Sequence, residues 1–276
     1  MVAISWMDAI MMHENLDHRG TSMEQDQQSL HALLHRLLDF GEMMLRCGAE
    51  IHRVEDTLTR MGQAYGAVRT DIFVITSSIV VTIAFPDGVE LTQTRRIVSI
   101  GPTDFFRMER LNALSRRCCK ERLSQAELGR ALEQLEKPIP TWWLYLGSFL
   151  GAGSFAVFFG GNLLDGFAAA LFGLVICFCQ QRLAPLCPNA VIFNLFCSFF
   201  IGLGLSGLGA VFPLLHVDQI MIGDIMLLIP GLAMTNSIRD VLVGDTISGV
   251  MRLTESLLWA GALACGFMAS IWLIGG

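Results

Sequence analysis

The chain has 276 residues, of which 53% are apolar and only 16% are charged, and its formal net charge is −6. A soluble globular domain carries about 25% charged residues, so the composition excludes an ordinary soluble protein, and the negative charge argues against a nucleic-acid partner. Of the 19 basic residues, only Arg182, Arg239 and Arg252 follow position 137. The chain therefore divides into a polar N-terminal half and an apolar C-terminal half.

Residues 1–25 lack the basic start and the long apolar run of a signal peptide, and we expect a disordered leader there. Residues 26–137 are expected to form a small cytosolic α+β domain. Its apolar spacing is helical, then typical of β-strands, then helical again. The predicted elements are helices over 29–48 and 51–66, about three antiparallel strands over 68–100, and helices over 103–118 and 124–137. Thr103 is a predicted N-cap, and Ser124 with Glu127 has capping-box spacing.

A polar cluster, GAEIHRVE, lies between the first two predicted helices. Glu50 at a helix start suits the positive end of the helix dipole. On one interpretation Arg53 pairs with a neighbouring acid on a solvated face. On the other, Glu50, Arg53 and Glu55 form a contact with the membrane gate. Both interpretations stay open.

No feature predicts a cofactor or an enzyme. The eight cysteines lack the Cys-x-x-Cys and Cys/His spacings of a metal site, and we expect buried, small apolar side chains. There is no glycine-rich phosphate loop and no nucleophile elbow, and His52 is a lone candidate base. We therefore expect no metal, no cofactor and no catalytic residues.

The C-terminal half, 138–276, contains five segments that approach the roughly 20 apolar residues needed to cross a membrane. These segments cover 142–161, 163–179, 190–212, 220–238 and 256–276. Basic residues mark the cytoplasmic side, and the loops near 161–162 and 213–219 contain none. We predict an all-α bundle of five transmembrane helices, with the N-terminus in the cytoplasm and the C-terminus outside. Its many glycines predict close helix packing, and a membrane partner in an oligomer.

The fourth segment breaks at Pro230-Gly231, and polar residues follow the break. Proline removes a backbone donor, and a broken helix persists in a membrane where it is packed in protein or lines a wet cavity. Arg239 could bind a carboxylate through two parallel hydrogen bonds. We therefore expect a substrate site made by five residues: Pro230, Gly231, Thr235, Asn236 and Arg239. The alternative is a kinked helix followed by a charged cytoplasmic loop.

Four charged residues near this break are candidates for gating or coupling. Asp240 and Asp245 could pair with Arg239 or Arg252 when the site is empty. Asp224 is predicted to lie one or two turns inside the fourth span, where a carboxylate is costly and faces a water path or a partner. It is either a proton-coupling group or a residue at headgroup level in contact with water.

Several of these motifs resemble the threonine/serine exporter (ThrE-type) family over about residues 30–275. They are GAE with RVE at 48–55, the turn FPDG, and the spacing PG…TNSIRD…GDTISGVMR. The resemblance implies a cytosolic domain followed by spans in the bacterial inner membrane. Fused members carry a second set of spans. This chain, with five predicted spans, is similar to the split form of the family. In that form a larger (YjjP-type) subunit works with a small membrane partner (YjjB-type). Relatives of the split form are associated with succinate export.

Two functions remain at this point. The first is a subunit of a secondary exporter for a small carboxylate-bearing metabolite, either succinate or another dicarboxylate, or threonine and serine. The second is a regulatory or scaffold membrane subunit whose cytosolic domain senses a metabolite. The absence of an ATP-binding motif favours coupling to a gradient.

Overall fold

A computed structural model describes residues 28–98, 103–135 and 140–275 of the chain. The predicted leader over 1–25 lies outside these residues. The chain forms two compact units, Met1–Lys137 and Pro138–Gly276.

The N-terminal unit is an α+β fold in which helices cover a small antiparallel sheet. Its elements are α1 (28–46 within the described residues), α2 (Ile51–Ala64), β1 (Arg69–Ile75), β2 (Ser78–Ala84), β3 (Glu90–Arg96), α3 (Phe105–Glu121) and α4 (Gln125–Leu135). The strand order is β1-β2-β3, and Val81 of β2 pairs with Ile72 and Gln93. Alternate residues of β2, including Ile79, Val81 and Ile83, are buried in the core beneath α1 and α2. The predicted order of helices and strands is therefore observed.

The helix starts in this unit follow the local sequence, with one correction. Asp104, not Thr103, is the N-cap of α3, and its carboxylate accepts a hydrogen bond from the backbone N–H of Arg107 at 2.9 Å. Asp is a strong N-cap residue because its oxygen satisfies a free N–H of the first turn. The capping box before α4 is present: the Ser124 N–H donates to Glu127 at 2.9 Å. Hydrogen bonds from Ser124 lower the pKa of Glu127.

The C-terminal unit is entirely helical among its described residues. Its elements are α5 (Thr141–Phe158), α6 (Leu163–Arg182), a 3-10 turn (Ala184–Leu186), α7 (Ala190–Val211), α8 (Val217–Leu228), α9 (Gly231–Val243) and α10 (Thr246–Gly275). Three stretches are long and apolar enough to cross a membrane: Leu163–Leu186, Ala190–Val211 and Thr246–Ile274. Helices α8 and α9 form a fourth candidate span, bent by 51°. This is the architecture of a multi-pass membrane protein.

Helix α5 covers most of the first predicted span but does not pass the same test of length and hydropathy. Its 18 residues include Trp142, Trp143 and Tyr145 and several glycines and serines, which lower its mean hydropathy. Of the five predicted spans, three are long and apolar enough by this measure, and the bent pair α8–α9 makes a fourth if it counts as one span. The last one also starts earlier than predicted, since α10 begins at Thr246.

The cysteines only partly follow the expectation of burial. Four of the eight side chains are buried, Cys119 and Cys265 are exposed, and Cys179 and Cys187 are intermediate. All eight are free thiols. The exposed thiols belong to helix faces that carry other exposed residues, so helical position and not residue type determined their burial.

Candidate functional site

The break in the fourth span lies where the sequence places it. Helix α8 ends at Leu228, and Pro230 is buried at the N-cap of α9. The Gly231 N–H donates to the Ile229 carbonyl at 2.9 Å, instead of to Leu227 as a continuous helix would require. The Leu227 carbonyl instead accepts from the side-chain amide of Gln180 on α6, at 3.5 Å. A side chain from a neighbouring helix thus compensates for the break, as membrane helices require.

The polar residues after the break lie on α9, not in a loop. The Thr235 hydroxyl donates to the Gly231 carbonyl at 3.0 Å, so it satisfies a backbone group near the break. Asn236 is half-buried, and Arg239 is exposed. Residues 239 and 240 are adjacent on a helix and point about 100° apart, so the exposure of Arg239 accompanies the burial of Asp240.

A buried ion pair joins α9 to α10. Arg252 Nη1 lies 3.1 Å from Asp240 Oδ2, and the two side chains are only 9% and 2% exposed. The sequence allowed Asp240 to pair with Arg239 or with Arg252, and the structure pairs it with Arg252. The buried guanidinium of this site is therefore that of Arg252, whereas Arg239, which the sequence singled out for substrate binding, is exposed.

The two helices form a hairpin because Gly244 ends α9 in a left-handed conformation, with φ of +113°. Glycine adopts this conformation without a Cβ clash. Asp245 follows, and its Oδ2 is buried without a hydrogen-bond partner among the described residues. The alternative of a charged loop is thus reduced to a two-residue turn, and Asp240 and Arg252 are the charged residues that lie between the packed helices.

Three buried serines lie within one turn or so of Asp240 or Arg252 on the same helices, and the sequence interpretation missed them. Ser237, Ser248 and Ser256 are at most 2% exposed. The Ser237 hydroxyl donates to the Met234 carbonyl at 2.7 Å, and the Ser256 hydroxyl donates to the Arg252 carbonyl at 2.8 Å. A hydroxyl that donates within its own helix keeps its lone pairs available as acceptors. A polar layer of hydroxyl, carboxylate and guanidinium groups therefore runs between α9 and α10.

Asp224 lies two turns into α8 and is completely buried. Neither carboxylate oxygen has a hydrogen-bond partner among the described residues. The neighbouring Gly223 lets α8 pack tightly on α5, because a Cβ there would lie 2.6 Å from the Ala152 carbonyl oxygen. Burial excludes the interpretation of Asp224 as a headgroup-level residue in contact with water in this conformation.

A second buried carboxylate, Asp165, connects the start of α6 to the start of α8. The sequence interpretation did not single it out. Asp165 is fully buried and forms a capping box with Asn162 at the start of α6. It also accepts hydrogen bonds from the backbone N–H of His216 at 2.9 Å and pairs with His216 Nδ1 at 2.8 Å. The Asn-x-x-Asp spacing was the available signal. Asp165 fastens the α5–α6 connection to the start of α8.

The GAEIHRVE cluster lies at the start of α2 in the N-terminal unit. Glu50 is the N-cap of α2, without a side-chain capping bond. Arg53 is exposed, and its Nη1 lies 3.9 Å from the Met108 sulfur. The Glu55 carboxylate accepts from the backbone N–H of Val74 at 2.9 Å, which ties α2 to β1.

No group of three or more potential metal ligands occurs within 28–98, 103–135 or 140–275. The polar layer consists of hydroxyl, carboxylate and guanidinium groups, which are able to form hydrogen bonds and ion pairs. Its arginine can bind a carboxylate.

Comparison with known proteins identifies the family. The ThrE family model, described as a threonine/serine exporter, matches residues 35–274. The chain is 24% identical over 258 residues to the "Probable threonine/serine exporter" of Mycobacterium tuberculosis, covering 91% of this chain and 48% of that protein. It is 23% identical over 257 residues to the "Probable succinate transporter subunit YjjP" of Klebsiella aerogenes, covering 92% of this chain and 98% of that protein.

The chain thus spans about half the length of the mycobacterial relative and nearly the full length of the Klebsiella relative. No solved structure matches it. Because the family model covers most of the chain, including both the N-terminal unit and the polar layer, this protein belongs to the threonine/serine exporter family, a family of transporters and not of enzymes.

Proposed function

We propose that the chain is one subunit of a secondary exporter that moves a small carboxylate-bearing metabolite across the bacterial inner membrane. The observation that carries this proposal is the buried Arg252–Asp240 pair next to a broken span. A buried charge pair is a weak stabiliser, whereas charges within membrane segments mark solute pathways. Succinate, threonine and serine all bear a carboxylate that a guanidinium can bind through two parallel hydrogen bonds.

In this proposal the substrate carboxylate competes with Asp240 for Arg252. Asp240 neutralises the arginine in the structure, and a bound substrate would take its place while Asp240 turns to another donor. Asp245, whose Oδ2 is buried without a hydrogen-bond partner in the described part of the chain, is a second gating candidate. Pro230, Gly231, Thr235, Asn236 and Arg239 would line the approach along α9. Through this exchange of partners, the Arg252–Asp240 pair would close the site when it is empty, and a bound substrate would open it.

Asp224 is the proposed coupling residue. An unpartnered buried carboxylate is costly, so it is retained where it exchanges a proton or meets a cationic group during the cycle. Its position on the helix just before the break would link its charge state to the bend between α8 and α9.

We also propose that α5 is a fifth span. Its 18 residues are about 27 Å long at 1.5 Å per residue, close to the roughly 30 Å of the hydrocarbon core. The backbone of α5 also packs closely against α6, which is a candidate span. A Cβ on Gly153 would lie 2.8 Å from the Gly166 carbonyl oxygen on α6. Five spans place the termini on opposite sides. The basic residues at 182, 239 and 252 favour a cytoplasmic N-terminal unit.

A second membrane subunit is part of the proposal. The Klebsiella relative is called a subunit, and the mycobacterial exporter is about twice as long as the matched region. Large apolar side chains of α10, including Leu257, Leu258 and Trp272, remain exposed. They would face lipid or the second subunit.

The test is efflux of labelled succinate and labelled threonine from cells that contain the chain and its partner gene, normalised to folded protein in the membrane. Arg252→Gln should abolish efflux of the natural substrate. Glu255→Gln, which removes an exposed charge one turn away on the same helix, is the matched control and should retain it. Equal efflux from both variants would reject the proposed site.

A further inference from the structure

We propose that the N-terminal unit contains a binding site for a small oxyanion, either a carboxylate or a phosphate, in a cavity lined by arginines. The cavity has a volume of about 340 Å³, within the range of small-molecule sites. Its walls come from α1, α3, α4 and the end of β3. Its charged lining consists of Arg36, Arg46, Arg95, Arg107, Asp39, Glu42 and Glu133. The inference is independent of the transport proposal because every residue in it belongs to the N-terminal unit.

The wall formed by α1 and β3 is a chain of alternating charges. Asp39 lies between Arg36 Nη1, at 3.3 Å, and Arg95 Nη1, at 2.8 Å. Glu42 lies between the same Arg95 atom, at 2.8 Å, and Arg46 Nη2, at 2.7 Å. Each carboxylate is thus shared by two guanidinium groups, and an arginine stands at both ends of the chain. This wall carries one more positive charge than negative charges.

Arg95 is the fixed centre of that wall. Burial opposes its charge, but hydrogen bonds to Glu42 and Asp39 outweigh this effect and raise the pKa of the guanidinium. Its side chain is 24% exposed. Its Nη1 contacts both carboxylates, and its Nη2 lies 3.3 Å from the ring Nε2 of His35. A guanidinium has five N–H donors, which is more than these three contacts occupy. Arg95 therefore offers a positioned cation with donors for a ligand.

The two end arginines can move at small cost. Arg36 and Arg46 are 40% and 51% exposed, and each makes its ion pair within one turn or so of α1. Exposed pairs of this kind stabilise a protein little. An anion in the cavity would bind their unused N–H groups in the forked geometry that suits carboxylate and phosphate oxygens.

The opposite wall adds one arginine and one carboxylate to the lining. Arg107 of α3 is 27% exposed, and its Nε lies 3.7 Å from Asp104. Glu133 of α4 adds one negative charge to the lining. Four arginines and three carboxylates thus line the cavity, and Asp104, which pairs with Arg107, balances the fourth arginine. An anion would therefore be held by guanidinium donors and not by a net positive charge.

An interior helix glycine holds this geometry. Gly129 lies in the middle of α4, where glycine is less favourable than alanine. A Cβ at this position would lie 3.1 to 3.3 Å from Cζ, Nη2 and Nε of Arg36. The guanidinium therefore lies against the helix backbone, and the missing side chain is what leaves room for it at the cavity wall.

The experiment is calorimetric titration of the purified full-length chain with succinate, threonine and inorganic phosphate. We expect saturable binding of one ligand, and comparison of the three titrations identifies the anion. Arg36→Gln combined with Arg46→Gln should weaken binding on the order of tenfold, because two charge-assisted bonds are lost. Gly129→Ala should weaken it several-fold without any change of charge.

The matched control is Arg60→Gln combined with Arg117→Gln. These arginines are 60% and 59% exposed, each pairs with an acid four residues away, and neither lines the cavity. The control removes the same charge and should bind as the parent does. Equal weakening in both double variants would show general charge attraction and overturn the site.

Two further outcomes would also overturn the inference: no saturable binding of any of the three anions, or unchanged affinity in the folded cavity variants. Arg252→Gln separates the two proposals, because it should leave this binding intact. If Arg252→Gln abolished binding and the cavity variants did not, the anion would bind only in the membrane unit. That result would refute the proposed oxyanion site and would support the proposed transport site. Thermal unfolding of each variant establishes that it is folded.

Discussion

The ion pair between α9 and α10 gives the sharpest prediction. Asp240→Leu leaves the Arg252 guanidinium, whose side chain is 9% exposed, without its carboxylate partner. Removal of one member of a buried pair costs about 3–5 kcal/mol. Hydrogen bonds between membrane helices average only about 0.6 kcal/mol, so a loss above about 2 kcal/mol would identify a desolvated charge pair. Arg252→Met should cause a loss of similar size.

The double variant, Asp240→Leu with Arg252→Met, separates structure from function. Replacement of both charges by apolar side chains of similar volume is often neutral or stabilising by about 1–4 kcal/mol. We therefore expect the double variant to recover most of the stability that each single variant loses. Export should not recover, because the guanidinium that binds the substrate is gone.

The assay has two measurements on the same four proteins. Denaturant unfolding in detergent gives the free energy of unfolding, and efflux of labelled succinate and threonine gives export per folded molecule. Wild-type efflux from the double variant would show that the pair is not the substrate site. Single variants that lose less than about 1 kcal/mol would show that the pair is not buried in solution as it is here.

Four further outcomes are expected. Asp224→Asn should abolish uphill export but retain downhill exchange, measured in proteoliposomes; uphill export at the parent rate would remove Asp224 from coupling. Arg239→Lys should lower efflux about tenfold or more at unchanged stability, because a charge-assisted hydrogen bond is worth about 1.5–3 kcal/mol; unchanged efflux would make it a topological anchor. Glu55→Ala should destabilise the N-terminal unit by about 1–3 kcal/mol by freeing the Val74 N–H, with export per folded molecule unchanged; reduced export at full stability would instead support a gating role. A reporter fused after Gly276 should be active only if it functions outside the cytoplasm, and activity of a cytoplasmic reporter alone would contradict five spans.

Local patterns were sufficient for much of the fold. The change from helical to alternating apolar spacing predicted the order of helices and strands in the N-terminal unit. Apolar length predicted α6, α7 and α10, because a membrane span is a local property of about 20 residues. Pro230 located the break, since the missing N–H acts within its own helix.

Local signals also misplaced some helix starts, by one residue at α3 and by ten at α10, and left one span undecided. Thr103 and Asp104 are both good N-cap residues, and only the backbone geometry selected Asp104. Helix α5 is long enough but falls short on hydropathy, whereas the glycine contact with α6 is what supports its place as a span.

The arrangement of the site was decided by tertiary packing. The sequence supplies two acids and two arginines near the break, and their spacing allows several pairings. Which arginine is buried depends on how α9 rotates against α10, and the pairing of Asp240 with Arg252 follows from that rotation. Gln180 reaches the carbonyl freed by the break from 47 residues away, and His216 meets Asp165 across 51 residues. Sequence determined which chemical groups this protein has and which segments are long and apolar enough to cross a membrane, because both depend on short-range composition. The folded structure alone decided which groups meet, because contacts between distant residues depend on the packing of every helix between them.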